Sequence, residues 1–367
     1  MHHLNFTVSP EQLDQSKLKM ADGSVTWQSP SNIALIKYWG KYGFQLPRNP
    51  SISFTLSQSH TTTKVEYLYK SEESHADPIR LFFHDEESPK FLKKIEHFFS
   101  SIVEFFPFIP HLNFTIFSEN SFPHSAGIAS SASSMSALAL CLCSIERELM
   151  GTLQDEEAFF HKASFIARIG SGSACRSVYP GLAMWGMHDQ VKESSQEYAI
   201  PYYEGVDPVF LTFRDAVLIV DGEEKSVSSR AGHALMEDNI FAPVRYEQAE
   251  NHLLTLAESL KKGDLVNFGN IVEEEALSLH ALMMTSKPSY LLMKPATLEI
   301  INRLRSWRSK TNIPAYFTLD AGPNVHLLYP QSFTREVETF IKEQLLSLCE
   351  DGRWIRDYVG KGPVRLA

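Results

Sequence analysis

Two lysines, Lys37 and Lys41, flank an aromatic pair directly after the apolar run of SNIALIKYWGK, residues 31–41. A lysine that leaves water without gaining a partner loses hydration that nothing restores. One interpretation is that both side chains reach back to solvent along their methylene stems. The other is that an apolar strand holds both ammonium groups rigidly toward an anionic ligand.

A loop of small residues, FPHSAGIASSASS at 122–134, runs into an apolar segment with helical periodicity. Gly127 and Ala129 let backbone amides approach a ligand, and a helix start directs unpaired N–H groups at it. The hydroxyls of Ser130, Ser131 and Ser133 would add donors or hold a metal-bound phosphate. The Walker pattern GxxxxGK[ST] is absent here, and a serine-rich helix N-cap is the alternative interpretation.

Two further turns combine short hydroxyl side chains with arginine. GSGSACRS at 170–177 carries Arg176 just after a predicted helix whose last turn contains Arg168, and KSVSSRAG at 225–232 carries Arg230. Flexible glycine, hydroxyls and a guanidinium fork suit an oxyanion. A helix C-cap beside a surface arginine would explain GSGSACRS alone, but three serine-bearing turns in one chain, two of them with arginine, favour an anion site.

A carboxylate occurs where an apolar strand ends, at Asp320 in FTLDAGPNVHLLY. The Ala-Gly-Pro-Asn that follows is a turn sequence. The aspartate is either the start of an Asx-turn or a catalytic base exposed on a rigid element.

The bulk composition narrows the class of protein. The chain has 367 residues, a formal net charge of −10, 43% hydrophobic residues and 21% charged residues. These values are typical of a globular protein and argue against nucleic acid or an anionic membrane as the main partner. The cysteines have no CxxC metal spacing, no apolar run approaches the roughly 20 residues of a membrane span, and the first residues lack a secretory signal pattern. We therefore expect a cytoplasmic protein with a local basic pocket.

Strands and helices are predicted to mix without strict βαβ alternation, which indicates an α+β fold. VTWQSPSNIALIKYWG is predicted as strand, turn, then strand or loop, and PAYFTLDAGPNVHLLY as strand–loop–strand. Helical periodicity covers KFLKKIEHFFSSIVEFF, MSALALCLCSIEREL, DEEAFFHKASFIARIG and residues 242–262 and 264–284. We expect a polar N-terminal extension at 1–25 and two lobes, 26–205 and 206–367.

Five segments together resemble the GHMP kinase superfamily and, within it, the mevalonate 5-diphosphate decarboxylase family. They are NIALIKYWGK with LPRNPSIS, PHSAGIASSA, GSGSACRS, SSR at 228–230 and DAGPN at 320–324. The segments follow the family's order from residue 32 to residue 324, so the resemblance covers most of the chain. DAGPN is the least kinase-like of them, because related kinases carry a Gly-rich loop there.

The resemblance implies a two-lobed GHMP fold, an N-terminal nucleotide and phosphate-binding lobe, an active-site cleft between the lobes, and a homodimer. The implied reaction is the ATP-dependent decarboxylation of mevalonate 5-diphosphate to isopentenyl diphosphate, with ADP, phosphate and CO2 as co-products, in isoprenoid biosynthesis. Asp320 would deprotonate the tertiary alcohol, and Lys37 would keep Asp320 ionised. The implied substrate-binding residues are Tyr38, Lys41, Arg80, Ser171, Gly172, Ser173, Arg176, Ser229 and Arg230. ATP with Mg²⁺ would bind at Gly127, Ala129, Ser130, Ser131 and Ser133.

Some positions depart from the family pattern. Tyr42-Gly43 follows YWGK where the family usually has Arg-Asp or Arg-Asn, His124 and Ser125 replace Thr and Ala, and RLFF at Arg80 only loosely follows RLWLNG. Phosphomevalonate decarboxylase and mevalonate 3-kinase are therefore alternatives within the class, and a non-catalytic nucleotide-binding homologue is an alternative outside it. A Ser–His hydrolase is disfavoured, because a GxSxG elbow is absent.

Overall fold

The computed structural model describes residues 6–71, 77–122, 129–223 and 227–367. The strands in this part of the chain are β1 Asp22–Ile36, β2 Lys41–Tyr42, β3 Leu46–Pro47, β4 Ser51–Tyr69, β5 Ile79–Phe83, β6 Glu86–Glu87, β7 Leu112–Asn120, β8 Leu182–Trp185, β9 Ala199–Pro201, β10 Arg214–Leu218, β11 Tyr316–Thr318, β12 Val325–Tyr329, β13 Trp354–Tyr358 and β14 Val364–Arg365. The helices are α1 Gln15–Lys19, α2 Pro89–Ile102, α3 Ser130–Met150, α4 Glu156–Gly170, α5 Pro208–Leu211, α6 Ser229–Ala234, α7 Ala242–Lys262, α8 Leu265–Thr285, α9 Pro295–Thr311 and α10 Thr334–Phe340.

The first sheet is built around the long antiparallel pair β1 and β4. Its strand order is β14-β1-β4-β7-β5-β6, with β8 on the other half of β4 and β9 beside β8. The pair β5–β7 is parallel, and the remaining pairs are antiparallel. The last strand of the chain, β14, thus returns to the first sheet, which the sequence pattern did not predict.

Helix α3 packs across one face of this sheet. The Trp27 indole donates a hydrogen bond to Ser144 Oγ at 2.9 Å, and Ser29 and Ser136 join their hydroxyls at 2.5 Å. Cys141 and Cys143 of α3 are free thiols that are buried in the core. None of the helices in the described ranges is long and apolar enough to cross a lipid bilayer.

Strand β1 differs from the prediction, which divided this segment into a strand, a turn and then a second strand or a loop. It is one strand of 15 residues whose pairing with β4 shifts register between Pro30 and Asn32 and again between Ala34 and Ile36. Proline lacks a backbone N–H to donate, and a bulge accommodates such a residue within a sheet while changing the direction of the side chains that follow. The consequence is that Lys37 lies immediately past a strand that is rigidly paired.

The second sheet, of order β11-β12-β10-β13, is antiparallel throughout. Helices α7 and α8 begin and end within one residue of the segments that periodicity predicts. A shared core joins the two sheets, because Ile33 and Phe54 of the first lie in one hydrophobic cluster with Val217, Tyr316 and Leu328 of the second. The α+β prediction is therefore confirmed, and the tips of β1 and β11 lie close together.

Candidate active site

Lys37 and Asp320 form an ion pair between the ends of two strands. Lys37 follows β1, Asp320 follows β11, and Lys37 Nζ lies 3.0 Å from Asp320 Oδ1. The lysine side chain is 2% exposed and the aspartate side chain 24%, so the carboxylate is the member of the pair that opens to solvent. Burial holds the pKa of Lys37 below its ordinary value, and the charge of Asp320 opposes that shift. The pair therefore presents a carboxylate that is oriented by an ion pair with a buried ammonium group.

Tyr38 connects this pair to the GSGSACRS turn. A Cβ at Gly172 would lie 2.6 Å from Tyr38 Oη and 2.9 Å from the Trp185 ring, so the close approach requires glycine. The Ser173 backbone N–H donates to the Tyr38 hydroxyl, and burial raises the pKa of Tyr38. The tyrosine also stacks on His233, with ring centroids 4.9 Å apart. The structure thus brings YWGK and GSGSACRS into direct contact.

Arg176 is a buried cation held by neutral groups. Its side chain donates to Ser53 Oγ at 3.0 Å, to Ser51 Oγ at 2.6 Å and to Asn32 Oδ1 at 3.3 Å. Its guanidinium carbon lies 5.6 Å from the centre of the Tyr38 ring. Because these partners carry no charge, they orient the guanidinium without neutralising it. The site therefore retains positive charge for an anionic ligand.

Lys41 lies at the start of the β2–β3 hairpin and is partly buried. Its ammonium donates to Gln45 Oε1 at 2.5 Å. Burial, followed by repulsion from Arg230 and Arg168, lowers the pKa of Lys41 to about 8. Ser229 and Arg230 are exposed at the start of α6. Because the charge of Arg230 acts on Lys41, the structure brings the SSR segment close to Lys41. Three cationic side chains are thereby concentrated beside the hairpin.

The start of α3 contacts the same turn from another side. Ser131 Oγ lies 3.2 Å from Ser171 Oγ, the Ala129 carbonyl accepts from Ser31 at 3.4 Å, and Ser130 is partly exposed at the first helical position. Ser133 is different, because it is buried with its hydroxyl 2.6 Å from Thr61 Oγ1 on β4. Ser133 therefore packs against the sheet and does not join the other hydroxyls. Gly127, His124 and Ser125 lie outside the described residues.

Arg80 is not brought to this cluster by any of its observed contacts. It lies on β5, where Arg80 Nη2 makes an exposed ion pair with Glu87 at 2.9 Å and its guanidinium lies 5.0 Å from the Phe82 ring. The strand order places β7 between β5 and β4. Its proposed role in substrate binding stays a prediction.

The sequence did not reveal the residues that contact the backbone of the Lys37–Asp320 pair. Glu275 and Arg245 contact the backbone of Lys37, and His280 contacts the Asp320 carbonyl. Three consecutive glutamates, 273–275, offer no sequence signal for which of them is buried beside another segment.

Comparison with known proteins gives family matches along most of the chain. Residues 29–197 match a family described as the diphosphomevalonate decarboxylase-like N-terminal domain, and residues 216–357 match the mevalonate 5-diphosphate decarboxylase C-terminal domain. The chain belongs to the diphosphomevalonate decarboxylase family. Diphosphomevalonate decarboxylase of Debaryomyces hansenii is 30% identical over 83% of this chain and 78% of its own length. That of Danio rerio is 29% identical over 85% of this chain and 77% of its own length.

Solved structures of the family share the fold. Mevalonate diphosphate decarboxylase from Staphylococcus aureus superposes with a TM-score of 0.80 at 27% identity, covering 95% of this chain and 99% of the other. A structure described as MDDEF in complex with MVAPP, AMPPCP and magnesium also gives a TM-score of 0.80, at 28% identity, covering 94% and 99%. These matches confirm the GHMP fold that the motifs predicted for this member of the decarboxylase family.

Proposed function

We propose that this protein catalyses the ATP-dependent decarboxylation of mevalonate 5-diphosphate to isopentenyl diphosphate. The observation that carries the proposal is the convergence of the Lys37–Asp320 pair with Tyr38, Arg176 and Lys41. An oriented carboxylate next to several buried cations suits a ligand that has both a hydroxyl to deprotonate and phosphates to neutralise. Family membership supports the reaction class.

The chemistry requires a step that converts the tertiary hydroxyl into a leaving group. A 3-hydroxy acid has no β-carbonyl to accept the electron pair released with CO2, and hydroxide departs poorly. Transfer of the γ-phosphoryl group of ATP makes the leaving group phosphate. As the C–O bond breaks, positive charge develops at C3, and the electrons of the breaking C–CO2 bond form the alkene. The products are isopentenyl diphosphate, CO2, phosphate and ADP.

Asp320 would orient the tertiary hydroxyl and take its proton. Its carboxylate is oriented by Lys37 and is 24% exposed, so a substrate hydroxyl could reach it from solvent. Lys37 would stabilise the ionised form of this base, since a neighbouring opposite charge favours ionisation.

The remaining side chains would bind the charged ends of the substrate. Arg176 is buried, Tyr38 and Lys41 are partly buried, and Arg230 is exposed. The full proposed set of substrate-binding residues is Tyr38, Lys41, Ser171, Gly172, Ser173, Arg176, Ser229 and Arg230, with Arg80 as a further proposal away from the cluster.

ATP and Mg²⁺ would bind at the start of α3. The described residues contain no group of three or more His, Cys, Asp or Glu side chains that could hold a metal ion, whereas the helix start offers Ser130 and the Ser131 hydroxyl. This donor set fits Mg²⁺ that arrives on the nucleotide, because Mg²⁺ prefers oxygen ligands and is commonly held by substrate phosphates with few protein groups. When bound, the ion would neutralise charge on the transferred phosphoryl group. Gly127 and Ala129 belong to the same proposed site.

The proposal extends to the organisation of the protein. We infer an N-terminal extension at 1–25, a nucleotide lobe at 26–205 and a C-terminal lobe at 206–367, assembled as a homodimer in the cytoplasm. Analytical ultracentrifugation would test the dimer, since a monomer at micromolar concentration contradicts it.

The test is incubation of the purified protein with ATP, Mg²⁺ and each of three substrates: mevalonate, mevalonate 5-phosphate and mevalonate 5-diphosphate. We expect release of CO2 and ADP in equal amounts, with the highest kcat/KM for the diphosphate. ADP without CO2 would indicate a 3-kinase, and preference for the monophosphate would indicate a phosphomevalonate decarboxylase. Absence of ADP with all three would indicate a non-catalytic homologue.

A phosphomevalonate decarboxylase is the second candidate because of the hairpin that holds Lys41. Tyr42, which stands where the family usually has arginine, hydrogen-bonds to Gln196 instead of offering a cation. Its ring lies 5.1 Å from the Arg48 guanidinium carbon. A pocket with one fewer cation at this position would bind fewer phosphate charges. The comparison of substrates above separates the two candidates.

A further inference from the structure

The peptide groups of Lys37 are held by side chains from three other segments. The Lys37 N–H donates to Glu275 Oε2 at 2.7 Å. The Lys37 carbonyl accepts from Asn49 Nδ2 at 3.0 Å and from Arg245 Nη2 at 3.4 Å. β1 ends one residue earlier, so these bonds replace the sheet pairing that Lys37 lacks. The position of its backbone therefore depends on three side chains that are themselves buried.

Glu275 is the centre of this arrangement. Its side chain is wholly buried on α8 and accepts from three donors: the Lys37 N–H, the Arg245 guanidinium, and His252 Nδ1 at 2.7 Å. A neutral acceptor would satisfy a peptide N–H, whereas a buried carboxylate is stable only when several donors compensate for its lost hydration. The charge of Glu275 also opposes the lowering of the Lys37 pKa.

The same helix contacts the other member of the catalytic pair. His280, five residues after Glu275, is buried and places Nε2 3.1 Å from the Asp320 carbonyl oxygen. Five residues correspond to about 7.5 Å along a helix axis. One rigid element therefore contacts the backbone of Lys37 and the backbone of Asp320.

We propose that Glu275 is a positioning residue for the Lys37–Asp320 pair, and that α8 sets the separation of the two groups through Glu275 and His280. This inference rests on the proposed function, because it takes the pair as the catalytic centre. Glu275 acts through Lys37 by fixing its backbone and adding negative charge behind its ammonium group. It touches neither substrate nor nucleotide.

The charge around Lys37 comes from several elements. Asp320 after β11 and Glu275 on α8 favour its ammonium form, while Arg176 disfavours it. Arg245 on α7 contacts its carbonyl, and the buried His326 on β12, paired with Asp215, lies within electrostatic range. Asp320 and Glu275 are the negative groups that most favour the charged form of Lys37, so removing the charge of Glu275 should lower the pKa of Lys37.

A matched control lies two residues away on the same helix. Glu273 is also buried and forms ion pairs with Arg308 at 2.6 Å and with Arg305 at 3.2 Å. Its contacts involve α9 and β11 and none of the groups around Lys37. Glu273→Gln therefore removes a buried carboxylate of the same type without altering Lys37.

The experiment compares Glu275→Gln, Glu275→Asp and Glu273→Gln in the full chain. The first keeps the size of the side chain and removes its charge, and the second keeps the charge but withdraws the carboxylate by one methylene. The readouts are kcat against pH at saturating substrate, and the 13C shift of Lys37 Cε against pH in protein labelled at lysine Cε. Saturating substrate is used because the bound anions keep Lys41 charged, so that the titration of Lys41 does not add to the alkaline limb of kcat.

We expect Glu275→Gln to lower kcat at least about tenfold and to move both the alkaline limb of kcat and the Lys37 titration to lower pH. Glu275→Asp should lower kcat by up to about a hundredfold through misplacement, while the Lys37 titration stays near that of the unmodified protein. Glu273→Gln should change neither. The melting temperature is expected to fall in all three variants.

The inference is overturned if Glu275→Gln matches Glu273→Gln in both kcat and the Lys37 titration. If Glu275→Gln does not fold, Glu275→Asp carries the test through kcat, and a value equal to that of Glu273→Gln overturns the inference. Failure of the proposed function is recognised separately from the unmodified protein, which would then be inactive on all three substrates, form ADP without CO2, or prefer the monophosphate. The Lys37 titration would still show whether Glu275 acts on the lysine.

Discussion

Replacement of Asp320 by asparagine separates the charge of the base from its shape. Asparagine keeps an oxygen at the position that accepts from Lys37 Nζ at 3.0 Å. The variant loses the proton acceptor for the substrate hydroxyl and the nearest opposite charge to a lysine whose side chain is 2% exposed. We therefore expect a defect in catalysis and a pH-dependent defect in stability from one substitution.

The size of both effects follows from the geometry. Loss of a positioned general base lowers kcat by about 10²–10⁴-fold. Breaking a buried ion pair costs about 3–5 kcal/mol when one charge is left uncompensated. Because the Asp320 side chain is 24% exposed and Glu275 still lies behind Lys37, we expect a loss of about 2 kcal/mol in the free energy of unfolding at neutral pH.

The stability defect has a definite sign with pH. Burial already holds the pKa of Lys37 below its ordinary value, and removal of the Asp320 charge lowers that pKa further. Between this lowered pKa and the value of about 10.4 in the unfolded chain, the unfolded state binds more protons, so stability rises with pH. The deficit of Asp320→Asn should be greatest at neutral pH and shrink as pH rises toward 10.

Urea unfolding from pH 6 to pH 10 measures the stability, and CO2 release with a separate ATP titration measures the activity. ATP binding is expected to remain close to that of the unmodified protein. Glu258→Gln is the control, because it removes one member of an exposed Glu258–Lys262 pair at 2.7 Å. Turnover by Asp320→Asn within tenfold of the unmodified rate, or a stability deficit independent of pH, would refute the reasoning.

Three further changes test the pocket. Arg176→Ala should weaken diphosphate binding on the order of a hundredfold, with a smaller change in kcat; unchanged affinity in calorimetric titration contradicts the role. Gly172→Ala places a methyl 2.6 Å from Tyr38 Oη, so we expect KM for the substrate to rise roughly tenfold by overpacking, with ATP affinity unaffected. Lys41 has a pKa of about 8, so kcat/KM should fall as pH rises through that value and the lysine loses its charge. Lys41→Met should abolish this alkaline fall in kcat/KM. If the fall persists in the variant, another group causes it.

Local patterns in the chain are enough to predict most of the secondary structure. Helices α7 and α8 follow from apolar spacing, and the buried cysteines follow from their apolar neighbours. The prediction for β1 was wrong in detail, because Pro30 reads as a break, whereas the long partner strand β4 absorbs it through a register shift. Cooperation between neighbouring strands is not encoded in a local window.

The motif segments are also visible in the sequence, and each carries residue types suited to binding anions. Which of them share a pocket is a different question. Lys37 and Asp320 are 283 positions apart yet form an ion pair, whereas Ser133 belongs to a motif but faces the sheet. A helix turns 100° per residue, so adjacent residues of one motif face different surroundings.

Residue types, their order and their periodicity thus establish the family, the fold class and the chemistry that the motifs offer. The assembled fold alone shows that Arg176 is held by uncharged partners, that the pKa of Lys41 is lowered to about 8, and that Glu275 supports the Lys37 backbone from α8. The physical reason is that burial and electrostatic coupling depend on distances through space, and these distances arise only when strands and helices that are remote in the chain pack together.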